Sequence, residues 1–590
     1  MLRRALPLLI ATLLAGCAAP PAALPQGPAG PVTVRLIAFN DFHGNLESGS
    51  LSLPWPDPDN PGRAKRLNAG GAAYLAGTVQ ALRDGARHSV LISSGDLIGA
   101  TPLVSALFRH ESTIDIANRM GVDLAIPGNH EFDAGQAELL RVLGGGCAAS
   151  RPDEASTSCP FGRHEGARFT TFAANVLKAD GRPMFPPSVV LERGGVRIGF
   201  VGAVTRTTPS IVVPSGVAGL RFVDEAAAIN AEARRLLEQG VRALVAVIHE
   251  GGDTGTPGQP LEWNDAGCPN PRGPIFDIVR RLDPQIDLVF SAHTHQGYRC
   301  VIDGRPVMQA TALGRGVSVA DVVIDPRGGD VDRTRTRHRN LPVFNAGSDA
   351  QLREHILASE PAPWGELLRG VPGSQAIAQR VAEYAAAAAP RAQRPVGRIG
   401  GSFDRSGRTD SSAARLVADA QYLATRAPGR GGAEFALMNP GGVRSDLLCR
   451  TTPPCAVTYG EVFTMQPFGN SLVVMTLGGT QLRQLLEDQQ RPGRAGPLFL
   501  IPSSTLSYRW DARAPYGQRV SDIRIAGRPL DPSRDVRFTV NSFLAEGGDG
   551  FRVLSEGRDR LGGELDLDAL VAHLALTPSP DPRPRITLVD

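Results

Sequence analysis

The sequence predicts an α/β protein of two domains, and three features of the chain support that prediction. Its 590 residues exceed what one hydrophobic core usually serves. Its first large region alternates apolar, β-branched runs with helical patterns, as α/β sheets do. An Ala-rich segment then precedes a second alternation of the same kind. The net charge of +3 provides no field that would favour a nucleic-acid polymer as a partner.

The first region, residues 32–368, contains six strand-like runs and three clear helical patterns. The strand-like runs are residues 34–39, 89–93, 197–203, 243–248, 286–291 and 317–324. The helical patterns are residues 72–83, 114–120 and 224–239. Residues 144–163 interrupt this alternation and are interpreted as a loop insertion.

A linker separates this region from the rest of the chain. Residues 374–389 are rich in Ala and predict a helix, which Pro390 and Pro395 follow. We therefore expect a linker helix and hinge at residues 369–396 and a C-terminal domain at residues 397–590. The helical patterns of that domain are residues 413–425 and 481–489, and its strand-like runs are residues 434–438, 472–477, 506–510 and 536–541.

The N-terminus has the pattern of an export signal. Two arginines precede an apolar run that is too short to span a bilayer. The motif Leu14-Ala15-Gly16-Cys17 that follows resembles the bacterial lipobox. The resemblance implies a cleaved signal peptide at residues 1–16 and lipidation of Cys17. The alternative is an ordinary signal peptide with a cysteine there by chance.

Residues 17–31 are rich in Ala, Pro and Gly and predict a flexible tether. We therefore expect a protein in the envelope of a bacterium, facing the periplasm and held to the membrane by its lipid alone. Ala18 favours the outer membrane, by analogy with bacterial lipoproteins. No obligate protein partner is expected.

Cysteine usage agrees with export. Six cysteines remain besides Cys17, and an even number outside the cytosol suggests disulfides. The sequence does not choose among the pairings. Our working hypothesis pairs neighbours along the chain, because two such pairs would enclose short loops. The pairs are Cys147 with Cys159, Cys268 with Cys300, and Cys449 with Cys455.

Five short segments place metal-ligand residue types directly after predicted strands. Carboxyl ends of strands in an α/β sheet gather their side chains at one edge, so these segments supply enough donors for two divalent ions. Mixed imidazole and carboxylate donors suit Zn, Mn, Co or Fe more than Ca. The segments are Asp41-Phe42-His43, Gly95-Asp96, Gly128-Asn129-His130-Glu131, His249 and His293-Thr294-His295.

Each segment alone has an ordinary structural explanation. Asp-x-His is common, Gly-Asp after a strand is usually a turn, and His249 fits a core histidine with satisfied hydrogen bonds. Gly-Asn-His-Glu and His-x-His are rarer. Five of the 11 histidines fall in these segments, and the occurrence of all five segments in this order favours a metal site.

In this order the motifs closely resemble the calcineurin-like metallophosphoesterases. The whole chain, residues 32–590, is similar to the 5′-nucleotidase family, which includes UDP-sugar hydrolases and cyclic-nucleotide phosphodiesterases. The resemblance implies a four-layer α/β/β/α metallophosphoesterase domain at residues 32–368. It also implies a C-terminal α/β substrate-binding domain, joined to the first by a helix.

The resemblance further implies two groups of metal ligands that share one bridging carboxylate. One group is Asp41, His43, Asp96 and His295, and the other is Asp96, Asn129, His249 and His293. The position of His295 varies in residue type across the family. His130, oriented by Asp133, would stabilise the transition state or the leaving group, because charge builds on the phosphate oxygens during attack.

In the second domain the resemblance implies a pocket for the nucleotide. Two phenylalanines would sandwich the base, and an aspartate would bind a ribose hydroxyl. Pro440 departs from the family pattern. The spacing around Arg405 and Arg408 departs from it too, so the alternative for these two arginines is an ordinary surface position. The alternative for the two phenylalanines is the core. The substrate-binding candidates are Arg405, Arg408, Asn439, Gly442, Arg444, Phe468, Phe543 and Asp549.

The sequence thus predicts an exported two-metal hydrolase that removes phosphate from nucleotides, with nucleoside 5′-monophosphates first and UDP-sugars second. One alternative is a 2′,3′-cyclic-nucleotide 2′-phosphodiesterase with 3′-nucleotidase activity. Thiosulfate-ester hydrolysis shares the fold but has no base for the phenylalanines to hold. The alternative from another class is a non-catalytic nucleotide-binding lipoprotein, against which the paired His130 and Asp133 argue.

Overall fold

The computed structural model describes residues 30–49, 51–60, 62–149, 157–212, 214–255, 262–407, 409–494 and 496–589. The predicted signal peptide, Cys17 and nearly all of the predicted tether lie outside these residues, and so does Arg408. Among the described residues, no helix is long and apolar enough to cross a membrane.

The N-terminal half contains sixteen described strands and ten described α-helices, the last of which leads into the C-terminal half. The strands are β1 Val32–Phe39, β2 Ser52–Pro56, β3 Ala64–Asn68, β4 Ser89–Ser93, β5 Leu124–Ala125, β6 Thr170–Thr171, β7 Val176–Lys178, β8 Ser188–Arg193, β9 Val196–Val204, β10 Leu220–Phe222, β11 Ala243–His249, β12 Leu288–Ser291, β13 Gly297–Ile302, β14 Arg305–Ala310, β15 Gly316–Ile324 and β16 Arg337–Pro342. The helices are α1 Ala72–Asp84, α2 Leu103–Ala106, α3 Glu111–Met120, α4 Gln136–Gly144, α5 Thr208–Ile211, α6 Glu225–Glu238, α7 Pro274–Arg280, α8 Ala350–Ser359, α9 Trp364–Leu368 and α10 Gln375–Ala392.

Two six-stranded sheets form the centre of this half. Their strand orders are β16-β15-β1-β4-β5-β6 and β13-β14-β12-β11-β9-β8. One hydrophobic cluster lies between the sheets and includes Leu36 and Ile92 of the first sheet and Phe200 and Val247 of the second. Helices α1 and α3 contribute to a cluster against the first sheet, and α6 and α7 to a cluster against the second. The domain therefore has the four layers α/β/β/α.

Burial on both faces explains the composition of the central strands. Every residue of β11 is buried, from Ala243 to His249, and β1 is buried except for Thr33. Strands covered on both faces are expected to be continuously apolar rather than alternating. This is why the six predicted runs are recognisable, and the strands that form there differ from the predicted bounds by at most two residues.

The linker helix is longer than the sequence predicts. Helix α10 continues through Pro390 to Ala392, although a proline inside a helix removes one backbone hydrogen bond. Ala388 is buried and Ala392 packs against the same core, and this packing outweighs the missing bond. Its side chains attach α10 to the N-terminal half, because Arg380 Nε and the Tyr384 hydroxyl donate to Asp115 Oδ2 at 2.6 and 3.1 Å.

The C-terminal half is a second α/β unit. Its five-stranded sheet has the order β21-β18-β25-β20-β26, and a four-stranded sheet has the order β24-β23-β22-β27. The strands are β17 Pro395–Ile399, β18 Phe435–Met438, β19 Cys455–Thr458, β20 Ser471–Gly478, β21 Ile501–Pro502, β22 Leu506–Trp510, β23 Val520–Ile525, β24 Arg528–Pro529, β25 Asp535–Asn541, β26 Arg558–Leu565 and β27 Ile586–Leu588. The helices are α11 Ser412–Thr425, α12 Tyr459–Met465, α13 Gly479–Glu487, α14 Ser542–Ala545 and α15 Asp566–Leu574.

Three disulfides link neighbouring cysteines and confirm the pairing hypothesis. They are Cys147–Cys159, Cys268–Cys300 and Cys449–Cys455. The first lies within the predicted loop insertion of the N-terminal half, and the third closes a short loop of the C-terminal half.

Candidate active site

Five strand ends meet at one edge of the N-terminal half. In the first sheet, β1, β4 and β5 are parallel neighbours, so the loops after them leave from the same edge. In the second sheet, β11 and β12 are likewise parallel. Because the sheets are stacked, the two sets of loops face each other, and each set carries candidate ligands.

The loops bring the candidate metal ligands into two groups. Asp41, His43, Asp96 and His295 have ligand atoms within 4.8 Å of one another, and so do Asp96, His249 and His293. Asp96 belongs to both groups. Its Oδ2 lies 3.6 Å from His43 Nε2 and 3.1 Å from His249 Nε2. This carboxylate is thus placed between two clusters of donors.

The donors fit divalent metal ions. Asn129 Oδ1 is buried and has no hydrogen-bond partner among the described residues, as expected of an oxygen reserved for a cation. The Nδ1 atoms of His43 and His249 lie 2.8 and 2.9 Å from the carbonyl oxygens of Gly99 and Ser94. Such contacts fix the imidazole ring and leave Nε2 free for a metal.

The backbone at this edge is held in sparsely populated conformations. Five candidate ligands have left-handed φ angles, which non-glycine residues rarely adopt, and such strain concentrates at functional sites. They are Asp41 (48°), His43 (48°), Asp96 (51°), His293 (75°) and His295 (57°). Gly128 permits the closest approach, since a Cβ there would lie 2.1 Å from Asp96 Oδ1.

Burial sets the charge balance of the cluster. Asp41 is fully buried, and its burial raises the pKa of its carboxyl to about 7, helped by the charge of Asp96. Burial opposes the charged form of His249, but Asp96 outweighs it and raises the pKa of His249 to about 10. Two carboxylates in so dry a place require compensating positive charge, which divalent cations supply.

Glu131 is a site residue that the sequence reasoning missed. Its buried carboxylate accepts hydrogen bonds from the backbone N–H groups of Asp96, Leu97, Ile98 and Gly128, which hold the Asp96 loop against the Asn129 loop. The signal was present in the sequence, because Glu131 ends the rare Gly-Asn-His-Glu motif and precedes the buried Phe132.

His130 points toward the mouth of the cluster. Its Nδ1 lies 2.8 Å from Asp133 Oδ2, and its backbone N donates to Asp96 Oδ1 at 2.9 Å. Burial lowers the pKa of His130, but Asp133 and Asp96 outweigh burial and raise it above its usual value. The ring of Phe468, from the other half, stacks on the His130 ring with centroids 5.8 Å apart.

The two halves enclose a cavity of about 240 Å³ beside the metal-ligand cluster. Arg444 also lines a smaller cavity with Asp96, His130 and His295, so its guanidinium faces the cluster directly. The N-terminal half contributes Asn129, His130, Asp133, Ile211, Val212 and His293 to the larger cavity, and the C-terminal half contributes Asn439, Gly441, Gly442, Arg444, Phe468, Asn470, Asn541, Phe543 and Asp549.

Amide side chains order the polar side of this cavity. Asn439 Nδ2 donates to Asp549 Oδ2 at 3.0 Å, and Asn541 Nδ2 donates to Asn439 Oδ1 at 3.0 Å. Burial raises the pKa of Asp549 to about 6, although the bond from Asn439 opposes the rise. Asn541 is a second residue that the sequence reasoning missed, and its place at the end of β25 was the available signal.

Among the described substrate-binding candidates, Arg405 is the one outside the cavity lining. Its side chain is 52% exposed, and its Nε is 3.7 Å from Asp446 Oδ1, while the Asp446 carboxylate also accepts the Arg405 backbone N–H. The cavity lining does not include Arg405. Arg408 and Cys17, the remaining candidates, fall outside the described residues.

Comparison with known families agrees with this architecture. The family described as calcineurin-like phosphoesterase matches residues 34–297, and the family described as 5′-nucleotidase, C-terminal domain, matches residues 390–556. The first match spans all five ligand-bearing segments up to His295, and the second includes Asn439, Arg444, Phe468, Phe543 and Asp549.

Individual proteins match along most of the chain. Endonuclease YhcR of Bacillus subtilis is 28% identical over 92% of this chain, which spans only 40% of that protein's length. A probable 5′-nucleotidase of Treponema pallidum is 25% identical over 92% of both chains. The solved structure of a 5′-nucleotidase precursor from Thermus thermophilus has a TM-score of 0.71 and 24% identity, and the match covers 95% of this chain and 99% of that one.

Proposed function

Because this chain belongs to the 5′-nucleotidase family of phosphoric ester hydrolases, which joins a calcineurin-like phosphoesterase domain to a 5′-nucleotidase C-terminal domain, we propose that it releases phosphate from nucleoside 5′-monophosphates. UDP-sugars are the second substrate class of this proposal. One observation carries it: a single cavity joins the metal-ligand cluster to two phenylalanines and an aspartate from the other half.

Two divalent metal ions are part of the proposal. Asp41, His43, Asp96 and His295 would hold one, while Asp96, Asn129, His249 and His293 would hold the other. When bound, such ions generate a nucleophilic water and stabilise charge on phosphoryl oxygens. The donor set suits Zn, Mn, Co or Fe.

The chain's own residues supply the remaining steps. Asp133 holds Nδ1 of His130 and keeps the imidazole ring protonated. The positive ring faces the phosphate and offsets the negative charge that develops on it. Arg444 presents a guanidinium to the same place, and its planar fork suits two phosphoryl oxygens. Since these groups come from both halves, the reacting phosphate is surrounded only when the halves are together, and residues 369–396 would serve as the hinge.

Nucleoside recognition falls to the C-terminal half. Phe468 and Phe543 line the cavity and offer flat apolar faces to a base, and stacking of this kind tolerates any base. Asp549 is positioned by Asn439 to accept a hydrogen bond from a ribose hydroxyl. Asn439 and Gly442 line the same cavity.

The proposed location is the bacterial cell envelope, with Cys17 lipidated and the enzyme facing the periplasm on the outer membrane. The three disulfides support an oxidising compartment. Labelling of cells with a radioactive fatty acid tests this part. Wild-type protein should take up label and fractionate with outer membranes, and Cys17→Ser should do neither.

The activity is tested by phosphate release from metal-stripped protein with Mn or Zn restored. The substrates are 5′-AMP, 3′-AMP, 2′,3′-cyclic AMP and UDP-glucose, the last two also with added phosphatase to reveal a first cleavage. We expect metal-dependent release from 5′-AMP. Turnover of only the cyclic and 3′ esters would assign the cyclic phosphodiesterase activity instead, and nucleotide binding without turnover would indicate a binding protein.

A further inference from the structure

One wall of the nucleotide cavity comes from the half that holds the metal ligands. Ile211, the last residue of α5, and Val212, which follows it, line the cavity together with Phe468 and Phe543. Val212 is 2% exposed and belongs to the hydrophobic core, so its position is fixed by packing. Family resemblance assigned no role to either residue.

Helix α5 is joined to the metal-ligand cluster by short hydrogen bonds. The backbone N–H of Thr205 donates to the carbonyl oxygen of His249 at 2.9 Å, and its hydroxyl donates to Glu250 Oε2 at 2.7 Å. The Thr208 hydroxyl in turn donates to the Thr205 carbonyl at 2.7 Å. The helix therefore holds a set position relative to the strand end that carries His249.

The far side of α5 reaches the other half. It packs against the turn Gly548–Gly550, which contains Asp549. The same short helix thus touches the element that would bind the ribose, while Ile211 at its end lines the cavity. This contact crosses between the halves, so it exists only when the halves are together.

We propose that Ile211 and Val212 form an apolar specificity wall that selects nucleosides, so that the N-terminal half reads the nucleoside as well as the phosphate. The inference rests on the proposed nucleotidase activity and adds two specificity residues to it. A base held between Phe468 and Phe543 leaves its edges uncovered, and an apolar wall at one edge removes water from it. Thr205 and Thr208 act as positioning residues, since they hold the wall at a fixed distance from the metal ligands.

The test compares Ile211→Ala and Ile211→Trp with wild-type protein. Leu140→Ala and Leu140→Trp are the matched controls, because Leu140 is 50% exposed on α4 and does not line the cavity. Adenosine binding to metal-free full-length protein is measured by calorimetry, which needs neither metal nor phosphate. Phosphate release by metal-loaded protein is measured with 5′-AMP and with ribose 5-phosphate, which has no base.

We expect Ile211→Ala to weaken adenosine binding and raise KM for 5′-AMP by about 10-fold, since a few methylenes are worth that much. Ile211→Trp should fill the cavity and lower kcat/KM for 5′-AMP by at least about 100-fold. Ile211→Ala should hydrolyse ribose 5-phosphate as wild-type protein does. Ile211→Trp should lose less activity on ribose 5-phosphate than on 5′-AMP, and both controls should behave as wild type throughout.

Three results would overturn the wall. Wild-type-like adenosine binding and 5′-AMP hydrolysis by Ile211→Trp would refute it alone and leave the nucleotidase activity intact. Equal loss on ribose 5-phosphate would show a role in folding or chemistry rather than in specificity. A wild-type protein that does not hydrolyse 5′-AMP would overturn the proposed function and the wall with it.

Discussion

The two halves contribute to the site in different ways. In the N-terminal half, Asp41, Asp96 and His249 are at most 1% exposed and lie at the ends of central strands or within three residues of them. In the C-terminal half, Phe468 and Phe543 are only partly buried and belong to a loop and a one-turn helix. The residues proposed to bind metal, which tolerate little displacement, are therefore held in the buried core of one half. The residues proposed to recognise the nucleoside, which can accept several ligands, lie at the edge of the core of the other half. Substitutions in each half would test this division.

Removal of the shared carboxylate should have the largest effect. Asp96→Ala should lose bound metal and lower phosphate release from any ester by at least about 1,000-fold, because bound ions contribute several kcal/mol to charge stabilisation. Metal per chain is measured by mass spectrometry. Asp277→Asn is the control, since the Asp277 side chain is 84% exposed on α7 and belongs to neither group of clustered ligands. Retained metal and activity in Asp96→Ala would contradict the placement of Asp96 between two ions.

His130→Ala should come next. We expect kcat to fall by about 100- to 10,000-fold, the usual contribution of a positioned proton donor. Metal content should stay at the wild-type level, because His130 is not among the proposed ligands. Asp133→Asn should show a smaller loss, since the ring would remain but lose its orienting carboxylate. Loss of metal in His130→Ala would instead show that His130 is a metal ligand. Its effect on kcat could then not be assigned to the phosphate alone.

Phe543→Ala should separate the two halves functionally. Stacking on one aromatic ring is worth about 1–3 kcal/mol per base, so KM for 5′-AMP should rise by about 5- to 150-fold. Hydrolysis of ribose 5-phosphate should be unchanged, because that ester carries no aromatic ring to stack on Phe543. Tyr516→Ala serves as the control for loss of an exposed aromatic ring. Equal losses on both esters would mean that Phe543 acts on the chemistry and not only on recognition of the base.

The smallest effect should be a change in how stability depends on pH. Burial raises the pKa of Asp549 to about 6 from an ordinary value of 3.8, so between these values the folded protein binds more protons than the unfolded chain. This contribution is present below about pH 4 and is lost as the pH rises to about 6. After allowance for solvent that reaches the pocket, we expect this contribution to the free energy of unfolding to be about 1–2 kcal/mol.

Asp549→Asn should remove that contribution. Urea unfolding of wild type and variant is compared at pH 4 and at pH 7. The variant should lose less stability than wild type between these two values, and the two proteins should show the same pH dependence above pH 7. Parallel curves across the whole range would show that Asp549 is ionised and solvated, which would place it outside the dry part of the cavity.

Sequence patterns predicted six of the twelve described strands in the two central sheets, and those six are largely buried on both faces. A continuous apolar run such as residues 243–248 is stable only where both faces of the strand are buried. The strand Ala243–His249 forms there. The end of the linker helix was less predictable. Pro390 is a valid stop signal, and the packing of Ala388 and Ala392 against the core explains why the helix passes it.

For the site, the sequence alone determined which residue types follow which strands, and these motifs were enough to indicate a metal-dependent phosphoesterase. The tertiary structure decided which of these residues come into contact. Two stacked sheets bring Asp96 and His249 to 3.1 Å, and the approach of the two halves places Phe468 on His130. Ile211 and Val212 carry no motif, since their relevance comes from the cavity they line. Contacts between residues hundreds of positions apart depend on how layers pack, and local sequence does not encode that geometry.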